Sequence, residues 1–258
     1  MKIKGIKFIE ISYPTTALIH SQSNKINADI NVEVQYDQND VANYFLTSPH
    51  LNMVEEPLEI WETAISLLKI YNGSNLLFYE KSPNEGQDNY SSLLQEVKDI
   101  YSDKNERIIP IKVKNWDIEY SKTPFNKNVI INPIAANFTR NYLIRLSTTE
   151  IDVFNLLLLL SNGLDWVSLY CLRDTVSYYS REISCAFFKD VRKDARVTDK
   201  KYSAFGNTAD SFGLIGLSAR HGIKKESTNK IEILTLAESR SIILKLIKSY
   251  LKLKYQIS

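Results

Sequence analysis

The clearest pattern in the chain is an alternation of apolar and polar residues near its N-terminus. In residues 25–37, every second residue from Ile26 to Tyr36 is apolar, and the residues between them are polar or charged. A strict period of two with one polar face is typical of an antiparallel strand that is solvated on one side. Residues 2–13 alternate in a similar way and predict a neighbouring strand.

Helical spacing interrupts these strands in two places. After Pro57, apolar residues recur three and four positions apart until Asn72-Gly73, where we expect the helix to end. Residues 75–80 would then form a buried strand. A second apolar stripe predicts a helix that begins at Ser91 or Ser92 and includes residues 93–101. Shorter apolar runs predict further strands at 107–120, 128–133 and 141–147.

From about residue 147 the apolar spacing is helical. A run that is apolar on most sides predicts a central helix between a Thr148 or Thr149 cap and Gly163. We expect a second helix over 164–183, with Leu164, Val167, Leu169, Cys171 and Leu172 facing inward. Shorter helices are expected over 184–194 and 200–212. The last helix, 236–255, opens with Thr235 and Glu238 at the spacing of a capping box.

These patterns together predict an α+β fold in two parts. Residues 1–146 are expected to form an antiparallel sheet with helices, and residues 147–258 a basic, helical bundle-like domain. Composition is compatible with this, because 44% of residues are apolar and 24% are charged.

Composition also predicts where the protein resides. The N-terminus lacks the unbroken apolar core of a signal peptide, and no apolar run approaches the roughly 20 residues of a membrane span. The two cysteines, Cys171 and Cys185, are expected to be core residues of their helices and are too few for a disulfide framework. We therefore expect a cytoplasmic protein without a membrane segment.

Charge divides the chain more sharply than its net value of +2 indicates. Residues 181–258 carry 16 Lys and Arg against 8 Asp and Glu, whereas residues 1–180 carry 16 against 22. Such asymmetry is typical of a chain whose basic part binds nucleic acid or an acidic protein. The alternative is that the basic part docks on acidic surfaces of its own chain or of a partner subunit.

Several cations of the C-terminal part have spacings that favour phosphate contacts. Lys189, Arg192 and Arg196 are three and four residues apart, which predicts that they share one helical face. The alternative is that Asp190, Asp194 and Asp199 neutralise this run. The candidate binding residues are Lys189, Arg192, Arg196, Arg220, Lys224, Lys225, Lys245, Lys248 and Lys252.

The sequence contains few residues in the spacing of a known metal, cofactor or hydrolase motif. His20, His50 and His221 lack zinc-ligand spacing, and neither a phosphate-binding loop nor a dinucleotide fingerprint is present, so no metal and no cofactor is expected. The segment around Ser218 lacks the second glycine and the strand of a hydrolase elbow.

One pair of polar residues keeps two interpretations. Arg220 and His221 follow Gly216 and precede Gly222, so a turn could direct both side chains at one anion. The favoured interpretation is structural: Arg220 binds a carboxylate or the orphan carbonyl groups at a helix end, and His221 caps the helix.

The C-terminal region resembles the helical region of an uncharacterised bacterial family. In that family a Trp-Val-x-Leu-Tyr helix is followed by an Asn-containing helix, a Gly-x-x-Ala-Arg-His turn and a capped terminal helix. The matching residues here are Trp166, Val167, Leu169, Tyr170, Asn207, Gly216, Ala219, Arg220, His221 and Glu238. The resemblance implies an architecture and no particular activity.

The same region is more loosely similar to HEPN domains, the helical bundles that act as ribonucleases or RNA binders in prokaryotic defence systems. Those nucleases carry an arginine that is separated from a histidine by four to six residues. Here Arg220 is adjacent to His221, and the positions five to seven residues before His221 are Gly216, Ile215 and Leu214. This departure argues against cleavage and leaves binding open.

The leading hypothesis is therefore a non-catalytic binding or accessory subunit of a prokaryotic nucleic-acid-related assembly. Antiviral defence is one such assembly. One alternative is a metal-independent ribonuclease that uses His221 and Arg220. Another is a structural oligomer subunit whose sheet edge pairs with a second chain.

Overall fold

The computed structural model describes residues 3–11, 29–78, 96–102, 106–108, 123–131, 140–219 and 232–256. The chain divides into two compact units between Ser161 and Asn162. We call the described residues before this point the N-terminal unit and those after it the C-terminal unit. The boundary expected at residues 146 and 147 concerns independent domains, and it stays a prediction.

Four antiparallel strands form the sheet of the N-terminal unit. In spatial order they are β2, β3, β1 and β4, so that β1 and β3 are central. Neighbouring strands are antiparallel throughout. Their bounds are β1 Lys7–Ile11, β2 Asn31–Tyr36, β3 Ala42–Thr47 and β4 Val97–Ser102. The predicted antiparallel sheet is confirmed.

Register places one apolar row across the sheet. Val32 pairs with Leu46, Leu46 with Ile9, and Ile9 with Ile100. All four side chains are buried. Because cross-strand neighbours on one face touch, this row is the centre of the sheet's core face and fixes the register of every strand.

The alternating face of β2 is buried only in its first part. Ile30 and Val32 are buried as the pattern predicts, but Tyr36 is 70% exposed. Within the described chain, the last β2–β3 pair, Tyr36 with Ala42, lies beyond the last β1–β3 pair, Ile11 with Tyr44. The end of β2 therefore extends past the region where three strands lie side by side.

The helices of the N-terminal unit pack around one long helix. Their bounds are α1 Pro49–Asn52, α2 Pro57–Phe78, α3 Arg140–Leu146 and α4 Ile151–Leu160. Helix α2 contacts α3, α4 and β4. Its Trp61 indole also donates a hydrogen bond to the carbonyl of Ile108, 3.2 Å away. The central position predicted for α4 is confirmed, although it begins after Glu150 without a side-chain cap.

Helix α2 continues through Asn72-Gly73, so the helix end and the buried strand predicted there are wrong. Every residue of α2 from Ile70 to Leu77 is buried. A Cβ at Gly73 would lie 1.9 Å from the carbonyl oxygen of Leu157 in α4. Glycine is therefore required here because the backbones of the two helices approach closely, and it does not end the helix.

Two further predictions are wrong for a related reason. Residues 97–102 form β4 and not the end of a helix, because Ile100 pairs with Ile9 in the sheet. Residues 140–146 form α3 and not a strand; there Leu143 and Ile144 are buried in the unit, and α3 packs on α2. In both segments long-range packing overrides the local pattern.

The C-terminal unit is helical, as predicted. Helices α5, α6 and α9 pack against one another, and α7 packs on α5. The capping box of α9 is present, with Thr235 and Glu238 exchanging both hydrogen bonds. Cys171 and Cys185 are exposed, and so is Val167, which corrects their predicted inward positions. The bounds are α5 Trp166–Ile183, α6 Cys185–Asp194, α7 Asp199–Asp210, α8 Phe212–Ile215 and α9 Leu236–Tyr255.

The helix crossing at Gly73 generates a stability prediction. Helix propensity alone favours Gly73→Ala by about 1 kcal/mol, but the added Cβ collides with the backbone of Leu157. We expect the free energy of unfolding, measured by urea titration, to fall by about 3 kcal/mol or more.

Gly206→Ala in α7 is the matched control. Its Cβ would meet Nη1 of Arg173 at 2.4 Å, so this contact is with the end of a side chain and not with a helix backbone. We expect it to lower the free energy of unfolding by about 1 kcal/mol at most. A Gly73→Ala protein as stable as the wild type would contradict the crossing.

Candidate nucleic-acid interface

The C-terminal end of α6 turns sharply at Arg196. The helix ends at Asp194, Ala195 caps it, and Arg196 has a left-handed backbone with φ of 55°. The amide of Arg196 donates to the carbonyl of Lys193 (3.0 Å), and that of Val197 donates to the carbonyl of Arg192 (2.9 Å). This is the Schellman arrangement, whose left-handed position is usually occupied by glycine.

Three cations at this helix end are exposed to solvent. Lys189 and Lys193 are four residues apart on α6, and Arg196 follows at the turn. None of the three makes an ion pair with another described residue. The predicted single helical face is wrong for Arg196, because the helix ends two residues earlier. We call Lys189, Lys193 and Arg196 the α6 cationic corner.

Arg192, by contrast, is largely buried and already paired. Its guanidinium lies 5.0 Å from the ring centre of Phe188 and 5.5 Å from that of Tyr202. Nη1 donates to the carboxylate of Asp199 at the start of α7. Asp199 therefore neutralises one cation of the predicted run.

A second arginine shares the Tyr202 ring. Arg173 of α5 lies 4.0 Å from the ring centre of Tyr170 and 5.4 Å from that of Tyr202. Its Nη2 donates to Asp174 at 2.9 Å. Burial is the largest single influence and acts to lower the pKa of Arg173. The hydrogen bond to Asp174, together with the charge interactions with Tyr202, Asp174 and Tyr170, outweighs burial and raises the pKa above its usual value. We call Tyr170, Arg173, Phe188, Arg192, Tyr202 and Phe205 the arginine–aromatic cluster.

Sequence reasoning missed this cluster. The one local signal is that Tyr170 and Arg173 are three residues apart on α5, the spacing of neighbours on a helix surface. Tyr202 and Phe205 come from α7, and their approach to both arginines depends on how the three helices pack. No spacing within the sequence encodes that approach.

The candidate lysines of α9 differ in their surroundings. Lys245 is exposed and Lys248 half-buried. Lys252 donates to Asp194 at 2.8 Å and thereby ties α9 to the last residue of α6. The hydrogen bonds that Asp194 accepts from Lys252 and Ser249 lower the pKa of this carboxyl group. Acidic residues therefore neutralise Lys252 as well as Arg192.

The remaining candidates, Arg220, His221, Lys224 and Lys225, lie outside the described residues. The structure reaches Ala219, after a short 3₁₀ helix at Gly216–Ser218. Gly216 has φ of 59°, so the glycine is used for its backbone conformation, as expected of a turn. The anchoring and anion-binding interpretations of Arg220 and His221 both stay predictions.

His50 of the N-terminal unit is the centre of a buried hydrogen-bond network. His50 Nδ1 accepts the amide hydrogen of Asn126 (3.0 Å), so Nε2 carries the proton and donates to Asp29 (2.8 Å). Arg145 donates to the same Asp29 oxygen at 3.1 Å. Both ring nitrogens are therefore bonded within the protein, and His50 holds three chain segments together instead of exchanging protons with a ligand.

The described residues contain neither a cluster of metal ligands nor a membrane-spanning helix. No three His, Cys, Asp or Glu side chains among them cluster as metal ligands do. None of the helices they form has the length and hydropathy needed to cross a bilayer.

Comparison with known proteins adds no relative: no family model, no curated protein and no solved structure matches this chain. The resemblances drawn from sequence motifs accordingly stay predictions.

The Asp194–Lys252 bond generates a pH prediction. Because the folded pKa of Asp194 is lowered, its contribution to stability is complete above the ordinary carboxyl pKa of about 3.9 and disappears as pH falls through the folded value. Asp194→Asn should therefore be less stable than the wild type at neutral pH, and the difference should shrink below about pH 4.

Urea titrations across pH 2–7 would measure this difference, with pH limits chosen about the ordinary carboxyl pKa. Asp190→Asn is the control, because it removes the same charge from an exposed side chain that makes no ion pair with the rest of the described chain. A pH-independent difference for Asp194→Asn would contradict the role given to its bond with Lys252.

Proposed function

We propose that the C-terminal unit binds nucleic acid through the α6 cationic corner, and that the protein acts as a non-catalytic accessory subunit of a nucleic-acid-related assembly. The observation that carries the proposal is that Lys189, Lys193 and Arg196, at the C-terminal end of α6, are all exposed and form no ion pair in the described chain. Phosphate contacts from such cations supply most of the sequence-independent affinity for nucleic acids.

The backbone at Arg196 supports a role for its side chain. A left-handed conformation costs an L-residue roughly 1–2 kcal/mol, and glycine avoids this cost. Arg196 adopts it with φ of 55° and carries an exposed cation three residues after Lys193. An arginine at a position that favours glycine supports a function of the guanidinium.

A purely structural interpretation accounts for part of the corner. Cations in the last turn of a helix interact favourably with the helix dipole, and Lys193 lies in the last turn of α6. Lys189 lies more than one turn from the end, beyond the reach of that effect, and Arg196 already strains the backbone. Anion binding explains all three positions together.

Two observations support the accessory role and the assembly. The resemblance to helical bundles of prokaryotic defence systems favours a nucleic-acid-related assembly. The histidine whose surroundings are described, His50, has both ring nitrogens bonded internally, which favours binding over proton transfer at that residue. An acidic protein is the competing partner, and pairing of another chain with a sheet edge stays an alternative.

Charge reversal of the corner tests the proposal. Lys189→Glu, Lys193→Glu and Arg196→Glu together should abolish binding to a labelled RNA oligonucleotide and a labelled DNA duplex, measured by fluorescence anisotropy at about 50 mM salt. Arg192 is left unchanged, because its side chain is only 17% exposed and replacement would disturb packing.

The control for net charge reverses three exposed lysines of the N-terminal unit, Lys4, Lys98 and Lys127. Two of them, Lys4 and Lys98, pair with Glu55 and Glu10, so a comparison of the free energies of unfolding accompanies the binding measurement. We expect this variant to keep most of the affinity. Absence of wild-type binding at low salt, or equal losses in the two triple variants, would refute the proposal.

Arg196→Gly separates binding from folding. Removing the left-handed strain should leave the free energy of unfolding unchanged or raise it by up to about 1 kcal/mol. Losing one phosphate contact should weaken binding and make the dependence of log K on log salt less steep by about 0.9 for a DNA duplex. A variant that binds as tightly as the wild type would remove Arg196 from the interface.

A further inference from the structure

Arg192 has the setting of a phosphate-binding arginine that an acidic residue of the same chain already occupies. Its side chain is 17% exposed, whereas that of Asp199 is 85% exposed. Phe188 and Tyr202 lie 5.0 and 5.5 Å from the guanidinium and restrict its orientation. The arginine is thus held in place by the fold, while its carboxylate partner is largely in water.

This asymmetry makes the pair exchangeable. A carboxylate that is mostly hydrated gains little from an ion pair, since solvent screens the attraction and replaces the bond. A phosphodiester offers two oxygen atoms to the arginine fork and binds it with the same planar geometry. Arg192 keeps its aromatic contacts when the anion changes, so the exchange needs only a rotation of the Asp199 side chain.

Position links Arg192 to the α6 cationic corner. Arg192 lies one helical turn after Lys189 and directly before Lys193 on α6, and its carbonyl accepts the Val197 amide at the turn that contains Arg196. A phosphate chain that contacts the corner therefore passes close to the Arg192–Asp199 pair.

We propose that Arg192 binds a backbone phosphate of nucleic acid and that Asp199 is an internal competitor for its guanidinium. This inference rests on the proposed function and assigns a regulatory part to one carboxylate. In the free protein Asp199 occupies Arg192, and nucleic acid displaces it on binding. Asp199 lowers the affinity for nucleic acid by the free energy of this exchange.

Removal of the competitor is the test. Asp199→Asn should raise the affinity for the labelled RNA and DNA by up to about fivefold, the measured range for exposed ion pairs. Asp190→Asn makes the same change of net charge at an exposed position without an ion pair to a described residue, and we expect a smaller gain. Equal gains in the two variants would overturn the inference.

A double-mutant cycle distinguishes competition by Asp199 for Arg192 from the general effect of removing one negative charge. In an Arg192→Gln background the gain from Asp199→Asn should vanish, whereas the gain from Asp190→Asn should persist. Arg192→Lys is the companion variant, since it keeps the charge and loses the fork. The Asp199→Asn and Asp190→Asn comparison does not require a replaced arginine and holds even if Arg192→Gln fails to fold.

Three outcomes have defined meanings. Wild-type binding with identical Asp199→Asn and Asp190→Asn affinities refutes the competition and leaves the proposed function standing. Absence of binding in the wild type and in Asp199→Asn refutes both. Polyglutamate is the probe for an acidic protein partner, and an equal gain of Asp199→Asn for polyglutamate and RNA would refute selectivity for phosphate.

Discussion

The close crossing of α2 and α4 is the constraint on which the N-terminal unit depends. At this point a single Cβ on Gly73 would overlap the carbonyl of Leu157 at 1.9 Å, so the two backbones approach as only glycine allows. The second half of α2 is buried on all sides as a consequence. Polar residues there bond internally: Ser74 donates to the carbonyl of Tyr71 (2.7 Å), and Asn75 accepts from Arg140 (2.9 Å). The crossing therefore makes α2 the element around which α3, α4 and β4 pack.

The elements that the sequence predicted well are those whose pattern needs no distant partner. The capped, amphipathic α9 and the first part of β2 carry their signals within a few residues. At Asn72-Gly73 the same local signals indicate a helix end, because propensity does not record that α4 approaches the glycine. The apolar residues of 97–102 have helical spacing in the sequence, but this segment pairs with β1 and forms a strand. Both cases required the tertiary contact that only the structure supplies.

The candidate interface divides in the same way. Exposure of Lys189 and Lys245 follows from their positions on the polar sides of α6 and α9. The surroundings of Arg192 could not be predicted, because Asp199 lies seven residues away across a turn and Tyr202 lies on the next helix. The departure of Arg196 from the helical face depends on where α6 ends, and no glycine marks that end. The sequence therefore predicts that this region is basic. Which of its cations are exposed and which are paired depends on where α6 ends and on how the helices pack.

The structure separates cations that support the fold from cations that face solvent. Arg173 and Arg192 lie against the Tyr202 ring, and each is joined to a more exposed carboxylate. Their rings and carboxylates keep them in place without a ligand, so neither needs nucleic acid for stability. Lys189, Lys193 and Arg196 are exposed and form no ion pair within the described chain, although the charge of Arg196 contributes to the lowered pKa of Asp194. Under the proposed function, a nucleic acid would contact Lys189, Lys193 and Arg196 directly, whereas contact with Arg192 would require the displacement of Asp199.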